Sequence, residues 1–443
     1  MQSKPKNRAQ LGFYSTFAEQ LNHKHPLFRL EKEINWSVFE DAFSKLYSET
    51  MGRPGKPIRL MVSLLILKHL RNLSDESVVA QWSENAYYQY FSGEDSFCSN
   101  QPCTFSELHH FRERIGEAGI ELILKESIRV NGKDGESGNL SADTTVQEKN
   151  ITYPTDDKLY KKIIKKCLAI ADKEGVSPRQ SYRTTIKKLS IIQRMRKNKN
   201  GASKARKANR KIKTIAGRLV RELERKLSVE QLAKYATDLG LFAKVLLQKR
   251  GDSNKIYSLH EPHTLCISKG KEHKKYEFGS KVSILLTQDT GVIVGALNHI
   301  ENIHDSKTLP DVLDQYERLT EKQATNIYVD RGYRGRAKVN ETNIHVPKPQ
   351  KDITLTKRKR HKRRAAIEPV IGHLKSDYRL RRNFYKGISG DAINVMLAAA
   401  AMNFKRMMNI WKDQAKFIFA FFENIIHGII RDLFKNQTCI FLK

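Results

Sequence analysis

The fold is read from Asn326-Ile327-Tyr328-Val329-Asp330-Arg331-Gly332-Tyr333-Arg334-Gly335. Ile327 to Val329 is an unbroken apolar run, as a short strand buried on both faces would be, and the glycines and arginines after it form a turn. A carboxylate, Asp330, stands where strand gives way to turn. A strand covered on both faces has no structural use for an unpaired carboxylate. The end of such a strand, opening into a crevice, is where helix-covered sheets hold their ligands. Taken alone, Asp330 could also be a turn residue or a helix cap.

Upstream, Ser306 to Gln323 has helical composition. Before it, Glu277 to Gln288 and Val292 to Leu297 are strands joined through the Asp289-Thr290-Gly291 turn, a hairpin. Further back, Asn139-Leu140-Ser141-Ala142-Asp143-Thr144-Thr145-Val146 is a strand that places a second acid, Asp143, near its end. Downstream, Ile344 to Val346 is a short strand closed by Pro347 and Pro349. A basic segment, Lys357 to Arg364, leads to a final helical region, where Asp391 caps an alanine-rich helix running to about Trp411. Strand, insertion, hairpin, helix, strand, strand, helix is the order of a mixed α/β sheet flanked by helices.

The insertion falls at 157–250, where strand patterning vanishes. From Arg179 to Lys226 there are 18 lysines and arginines against two acids, Glu222 and Glu224, and Asn198-Lys199-Asn200-Gly201 interrupts the run. A solvated helical hairpin inserted into a loop fits this pattern, and the excess of cations points to phosphate. The region before the first strand is helical. Ile58 to Leu70 follows the turn at 52–57, Ser77 to Phe91 is a second helix, and Thr104 to Gly116 opens with a Thr104/Glu107 capping box. Arg112 and Arg114 lie on that third helix, which either enters a DNA groove or packs with its charges outward.

Across 443 residues, 80 lysines and arginines face 48 acids, a formal net charge of +32. That excess is too large to serve solubility alone and suits a polyanion, most often nucleic acid. The 16 tyrosines and 19 phenylalanines are scattered or apolar-patterned, which speaks against an aromatic RNA-binding face. Cysteines 98, 103, 167, 266 and 439 form no even framework, consistent with a reducing cytoplasm. Cys98, Cys103, His109 and His110 lack the spacing of a paired zinc site. No secretory signal opens the chain. Phe417 to Phe434 carries Glu423 and Arg431 among apolar residues at helical spacing, as a helix packed on protein would, so no membrane span is expected.

The third candidate acid is Glu368. Spacings of four and seven put Arg364, Glu368 and Lys375 within about 40° of one helix face, if the helix is continuous. Pro369 works against that continuity: either a helix starts near it or one is kinked there.

At these residues the chain resembles the bacterial insertion-sequence DDE transposases, close to the insertion-sequence-five (IS4/IS5-like) family. Arg364, Glu368 and Lys375 match the family's Tyr-x2-Arg-x3-Glu-x6-Lys signature, with His361 standing where the tyrosine belongs. Asp143 in Asp-Thr-Thr-Val is similar to the first acid, and Asp330 in Asp-Arg-Gly-Tyr-Arg-Gly to the second. Arg53-Pro54-Gly55-Lys56-Pro57 through Phe111 and Arg112 resembles the family's N-terminal helices, and Gly387 to Asn403 its closing helix.

The resemblance implies a ribonuclease H-like catalytic core with a mixed five-stranded sheet. It implies catalysis by Asp143, Asp330 and Glu368 holding two Mg2+ or Mn2+ ions, an all-oxygen set suited to hard cations. It also implies double-stranded DNA as partner, contacted by Arg364, Lys375, His361, Arg331, Arg334, Arg112 and Arg114. The expected division is a helical DNA-binding domain over 1–130, a catalytic domain over 135–156 and 251–412, the insertion over 157–250, and a helical tail over 413–443. A homodimer on DNA, in the bacterial cytoplasm with the nucleoid, completes the expectation. The activity implied is cleavage at terminal inverted repeats followed by 3′-OH strand transfer. A nuclease or resolvase on the same fold, and a DNA-binding protein without catalysis, are the rivals. Tyr333 is expected to be structural, Asp305 after His304 to be a helix cap, and His299 and His373 to pack or touch DNA.

Overall fold

The computed structural model describes residues 15–438 except 49, 250, 269–273, 336 and 348–353, with backbone alone for 357 and 415–438. Pro349, Cys439 and the side chains of the Phe417–Phe434 stretch therefore lie outside the described residues. Two compact units are present, 1–147 with 281–443, and 148–280.

In the first unit, helices Pro26–Glu33, Trp36–Ser44, Ile58–Leu70, Asp75–Glu84, Ala86–Phe91 and Phe105–Val130 share one core with the sheet. Ile58–Leu70 is buried on all sides except at Arg59, as an apolar helix without a polar face must be. The expected single helix over Ser77 to Phe91 is two. Asn85 takes extended angles and its side chain caps the second helix through the Tyr88 amide. Thr104 and Glu107 form the expected capping box, but Gly116 does not end the helix. It takes φ +58°, open to glycine at little cost, and the chain resumes as helix to Val130. The closing helix, Gly387–Thr438, lies against Phe105–Val130 and Ile58–Leu70, so the N-terminal helices and the end of the chain hold each other.

The strands are β1 (Asn139–Lys149), β2 (Leu265–Ser268), β3 (Tyr276–Thr287), β4 (Ile293–His299), β5 (Asn326–Tyr328), β6 (Lys338–Val339), β7 (Thr342–His345) and β8 (Arg382–Asn383). Among the described residues the sheet has eight strands, not five. The additional ones, β2, β6 and β8, run four, two and two residues, too short to leave a period-two signal. The path runs β2-β3-β1-β5-β7-β6, with β4 on β3 and β8 on β1. β3 and β4 are antiparallel, whereas β1/β5 and β5/β7 are parallel, so the sheet is mixed. Side-chain amides close part of β4. Asn403 both accepts from Ile293 N and donates to Ile293 O, and Gln315 does the same for Ala296.

The second unit holds helices Asp156–Lys173, Arg183–Arg194, Gly201–Lys226 and Val229–Leu247 around its own core, which includes Ile163, Cys167, Ile212, Leu219 and Phe242. The basic region is thus a four-helix body and not a hairpin. Gly175 at φ +68° follows the first helix, and the Ser228/Gln231 capping box starts the last. Lys149 and Glu261 form a buried ion pair at 3.3 Å in this unit.

Candidate active site

β1 and β5 run parallel in the register Asn139↔Asn326, Leu140↔Ile327, Ser141↔Tyr328. Asp143 follows Ser141 by two positions, and Asp330 follows Tyr328 by two. Because side chains alternate with period two, both acids continue the same face just past the paired stretch of β1 and β5. Asp330 follows the end of β5, but Asp143 is in the middle of β1 and not near its end as expected, because the strand runs on to Lys149. Asp143 Oδ1 accepts from the Thr144 amide at 2.7 Å. Asp330 caps the 3-10 turn Arg331–Tyr333, its Oδ1 accepting from the Gly332 amide at 2.8 Å.

A third carboxylate joins them, and it is Asp305. The helix cap expected of Asp305 belongs to His304, whose Nδ1 faces the Ser306 amide. Asp305 Oδ1 instead accepts from Thr144 Oγ1 at 2.9 Å and from Lys281 Nζ at 2.8 Å. A Cβ on Gly332 would stand 3.0 Å from Asp330 Oδ1 and 3.1 Å from Asp305 Oδ2, so glycine is what lets the two carboxylates approach the turn this closely. Tyr333, 1% exposed, lies beneath. Burial, reinforced by Asp143, Asp305 and Asp330, raises its hydroxyl well above the usual tyrosine range. It stays protonated at neutral pH, a structural phenol rather than a nucleophile. Sequence reasoning passed over Asp305, Lys281, Thr144 and Gly332 as a group. Of these, only Asp305 was singled out, as a helix cap after His304.

Glu368 is elsewhere engaged. Two helices, Leu355–Arg364 and Ile367–Asp377, meet at Ala365 and Ala366, both right-handed in backbone. Pro369 has no N–H to offer the Ala365 carbonyl, and the Glu368 amide takes that oxygen at 3.2 Å, a 3-10-like joint. The alternatives left open by Pro369 resolve into a second helix beginning at Ile367. The Glu368 side chain is 66% exposed and meets Arg364 Nη2 at 3.5 Å. Among the described residues, no three of His, Cys, Asp and Glu gather closely enough to hold a metal ion. The structure therefore juxtaposes Asp143, Asp305 and Asp330 but does not bring Glu368 into a metal-holding group with them.

The cations divide. Arg331, Arg334 and Arg114 are exposed, and Arg114 lies over the Tyr47 ring in a groove with Arg53, Lys56 and His110. Lys375 and Arg364 are half-buried. His361 meets the edge of Tyr328, which itself stacks on His345. The basic helix is anchored by Arg360 and Arg363, both donating to Asp289 at the hairpin turn. Arg112 is the exception. Its side chain is 6% exposed, paired with Asp75 at 3.3 Å and stacked over Tyr385 at 3.8 Å, so the expectation that it meets DNA gives way to an internal role. His299 is buried on Ser283, and burial lowers its pKa, while His373 is exposed and pairs with Asp377. Cys103 is in the core, its thiol pushed up to about 11 by burial. No helix among the described residues is long and apolar enough to cross a membrane.

Residues 15–114 match the family described as Transposase domain (DUF772), and residues 258–404 match the Transposase DDE domain. The second match contains Asp305, Asp330 and Glu368, whereas Asp143 lies between the two matched segments. The chain is 39% identical over 176 residues to the Uncharacterized protein ORF8 in nfe locus of Rhizobium meliloti, an alignment spanning 39% of this chain and 84% of that protein. No solved structure matches it. An acid-bearing mixed sheet joined to these two domains defines a transposase, and the chain belongs to the insertion-sequence DDE transposases.

Proposed function

We propose that this chain binds the terminal inverted repeats of an insertion sequence, cleaves there with divalent metal, and joins the 3′-OH ends to target DNA. The observation that carries the reading is the shared register of Asp143 and Asp330, each two residues past the last paired position of neighbouring parallel strands. The strand order β4-β3-β1-β5-β7, antiparallel at β3/β4 and parallel from β1 to β7, supports a ribonuclease H-like core. The Arg364, Glu368 and Lys375 spacing supports membership in the insertion-sequence-five group.

The donor set around Asp143 and Asp330 is oxygen, which fits Mg2+ or Mn2+ better than zinc. A pair of such ions supplies activation of the attacking oxygen and stabilisation of the leaving one. Asp143 from within β1 and Asp330 from the end of β5 would hold them. Glu368 would complete the set by leaving Arg364, and an exposed ion pair of that kind holds it by only about 0–1 kcal/mol. Arg364 and Lys375 would then hold the scissile strand by its phosphates, Arg331, Arg334 and His361 the adjoining DNA, and Arg114 a site of its own in the N-terminal groove. The protein acts as a homodimer, one protomer to each element end.

The test uses the purified full chain and a duplex carrying the element end. Mg2+-dependent nicking at the end and joining to a plasmid target are expected. Asp330→Ala and Asp143→Ala should abolish both while leaving duplex binding intact. Unchanged cleavage by Asp330→Ala in Mg2+ would overturn the site, and nicking without joining would make the protein a nuclease.

A further inference from the structure

The basic unit carries a feature that its own folding does not require. In the helix Gly201–Lys226, Ala208, Ile212, Ile215, Leu219 and Leu223 are buried in the core of that unit. Beside that buried face, centred about 100° round the helix from it, Lys204, Lys207, Lys211, Arg218 and Arg225 are all exposed. At 100° per residue these five fall within about 60° of arc, and at 1.5 Å per residue they run for about 32 Å. Arg221 flanks the stripe and is exposed as well. Among the described residues, none of the five pairs with a carboxylate, while Glu222, the nearest acid, is taken by Lys226 at 2.8 Å.

Such a stripe weakens its own helix. Lys204/Lys207, Lys207/Lys211 and Arg221/Arg225 are like charges three or four residues apart, and each such pair costs a few tenths of a kcal/mol. The repulsion is relieved when a row of anions lies along it. One turn of B-DNA measures about 34–36 Å, close to the length of the stripe, and duplex DNA offers phosphates at that scale. No aromatic side chain interrupts the five positions, which disfavours stacking on unpaired bases.

We infer that Lys204, Lys207, Lys211, Arg218 and Arg225 form a phosphate-binding track for double-stranded DNA, which holds the backbone and reads no bases. The inference rests on the reading of the chain as a DNA-processing transposase, but it is tested by binding alone.

The experiment compares the full chain with its K204Q/K207Q/K211Q/R218Q variant. Binding to an end-bearing duplex, a scrambled duplex and a single-stranded RNA is followed by fluorescence anisotropy across salt. With about 0.9 lost per phosphate contact, the log–log salt slope should become shallower by about 3–4 on both duplexes, with at least tenfold weaker binding to each. A control variant, K158Q/K173Q/K244Q/K249Q, removes four exposed lysines of the same unit away from the stripe. Its slope should change by less than one. Unchanged duplex binding in the stripe variant, an equal loss in the control, or a loss confined to RNA would each overturn the track. Circular dichroism melting checks that both variants fold. Failure of Mg2+-dependent cleavage in the parent chain would remove the catalytic reading and leave this result standing.

Discussion

Thr144 and Asp305, 161 residues apart in the chain, meet at 2.9 Å, with Thr144 Oγ1 donating to Asp305 Oδ1. The same oxygen takes Lys281 Nζ at 2.8 Å. One carboxylate therefore ties the residue after Asp143 to β3 and to the turn where Asp330 sits. A charge in this position does more than fill space. Removing it leaves a lysine whose side chain is only 10% exposed with the Ile303 carbonyl but no carboxylate to balance its charge.

Asp305→Ala should accordingly destabilise the fold by about 3 kcal/mol, the usual cost of leaving a buried charge without its partner. Adding Lys281→Met should recover a substantial part of the loss, since the orphaned charge goes with it. Urea denaturation of the single and double variants checks this. A double variant no more stable than Asp305→Ala would sink the account.

Gly332→Ala tests the close approach of the two acids. Its Cβ would press on Asp330 Oδ1 and Asp305 Oδ2 together. Folding stability should fall by only about 1 kcal/mol, within the usual cost of overpacking. End cleavage should drop at least tenfold, about 1.4 kcal/mol of barrier. Wild-type cleavage by a variant with an unchanged melting temperature would show that the carboxylates do not need this spacing.

Arg112→Ala should cost about 3 kcal/mol of stability, because Asp75 then relies on Lys68 alone. Burial works against the charged form of Asp75, but Lys68 and Arg112 together hold its pKa below the usual carboxylate value. The salt slope of DNA binding should stay where it is. A slope shallower by about 0.9 would mean that Arg112 touches phosphate after all.

His69 sets an acid limit. It is fully buried, and its Nε2 meets Asn394 Oδ1 at 3.2 Å on the closing helix. Burial, with Lys68 adding, lowers its pKa from 6.5 to about 3. Between those values the unfolded chain binds a proton that the folded chain refuses. The contribution is therefore present above pH 6.5 and lost progressively as pH falls toward about 3. His69→Leu should flatten that part of the stability curve in urea melts between pH 7 and 4, whatever it costs through the lost Asn394 bond. An unchanged slope would assign the acid sensitivity to other groups.

The legible parts of this fold were those whose signal is local. The apolar runs of β3, β4 and β5 and the Thr104/Glu107 box announce themselves within a few residues, and the structure has them in place. Asp330 was visible for the same reason, as an acid at a strand end, whereas Asp143 was picked out by the same argument although β1 runs on past it to Lys149. The miss at Gly116 came from treating glycine as a stop when flanking helical residues could carry the chain onward. Arg112 and Asp305 were misread because their partners, Asp75 and Lys281, lie 37 and 24 residues away, where no periodicity points. Exposure of Glu368 was equally hidden, being a matter of how one helix sits and not of which residues compose it.

The two amides on β4 have a consequence for how this protein avoids its own kind. Asn403 and Gln315 occupy donors and acceptors that a bare margin of the sheet would offer to any passing chain. With those groups already engaged at Ile293 and Ala296, fibrillar stacking through that margin finds no template. A chain with a net charge of +32 is thereby guarded, at this one border, against polymerising when its local concentration rises.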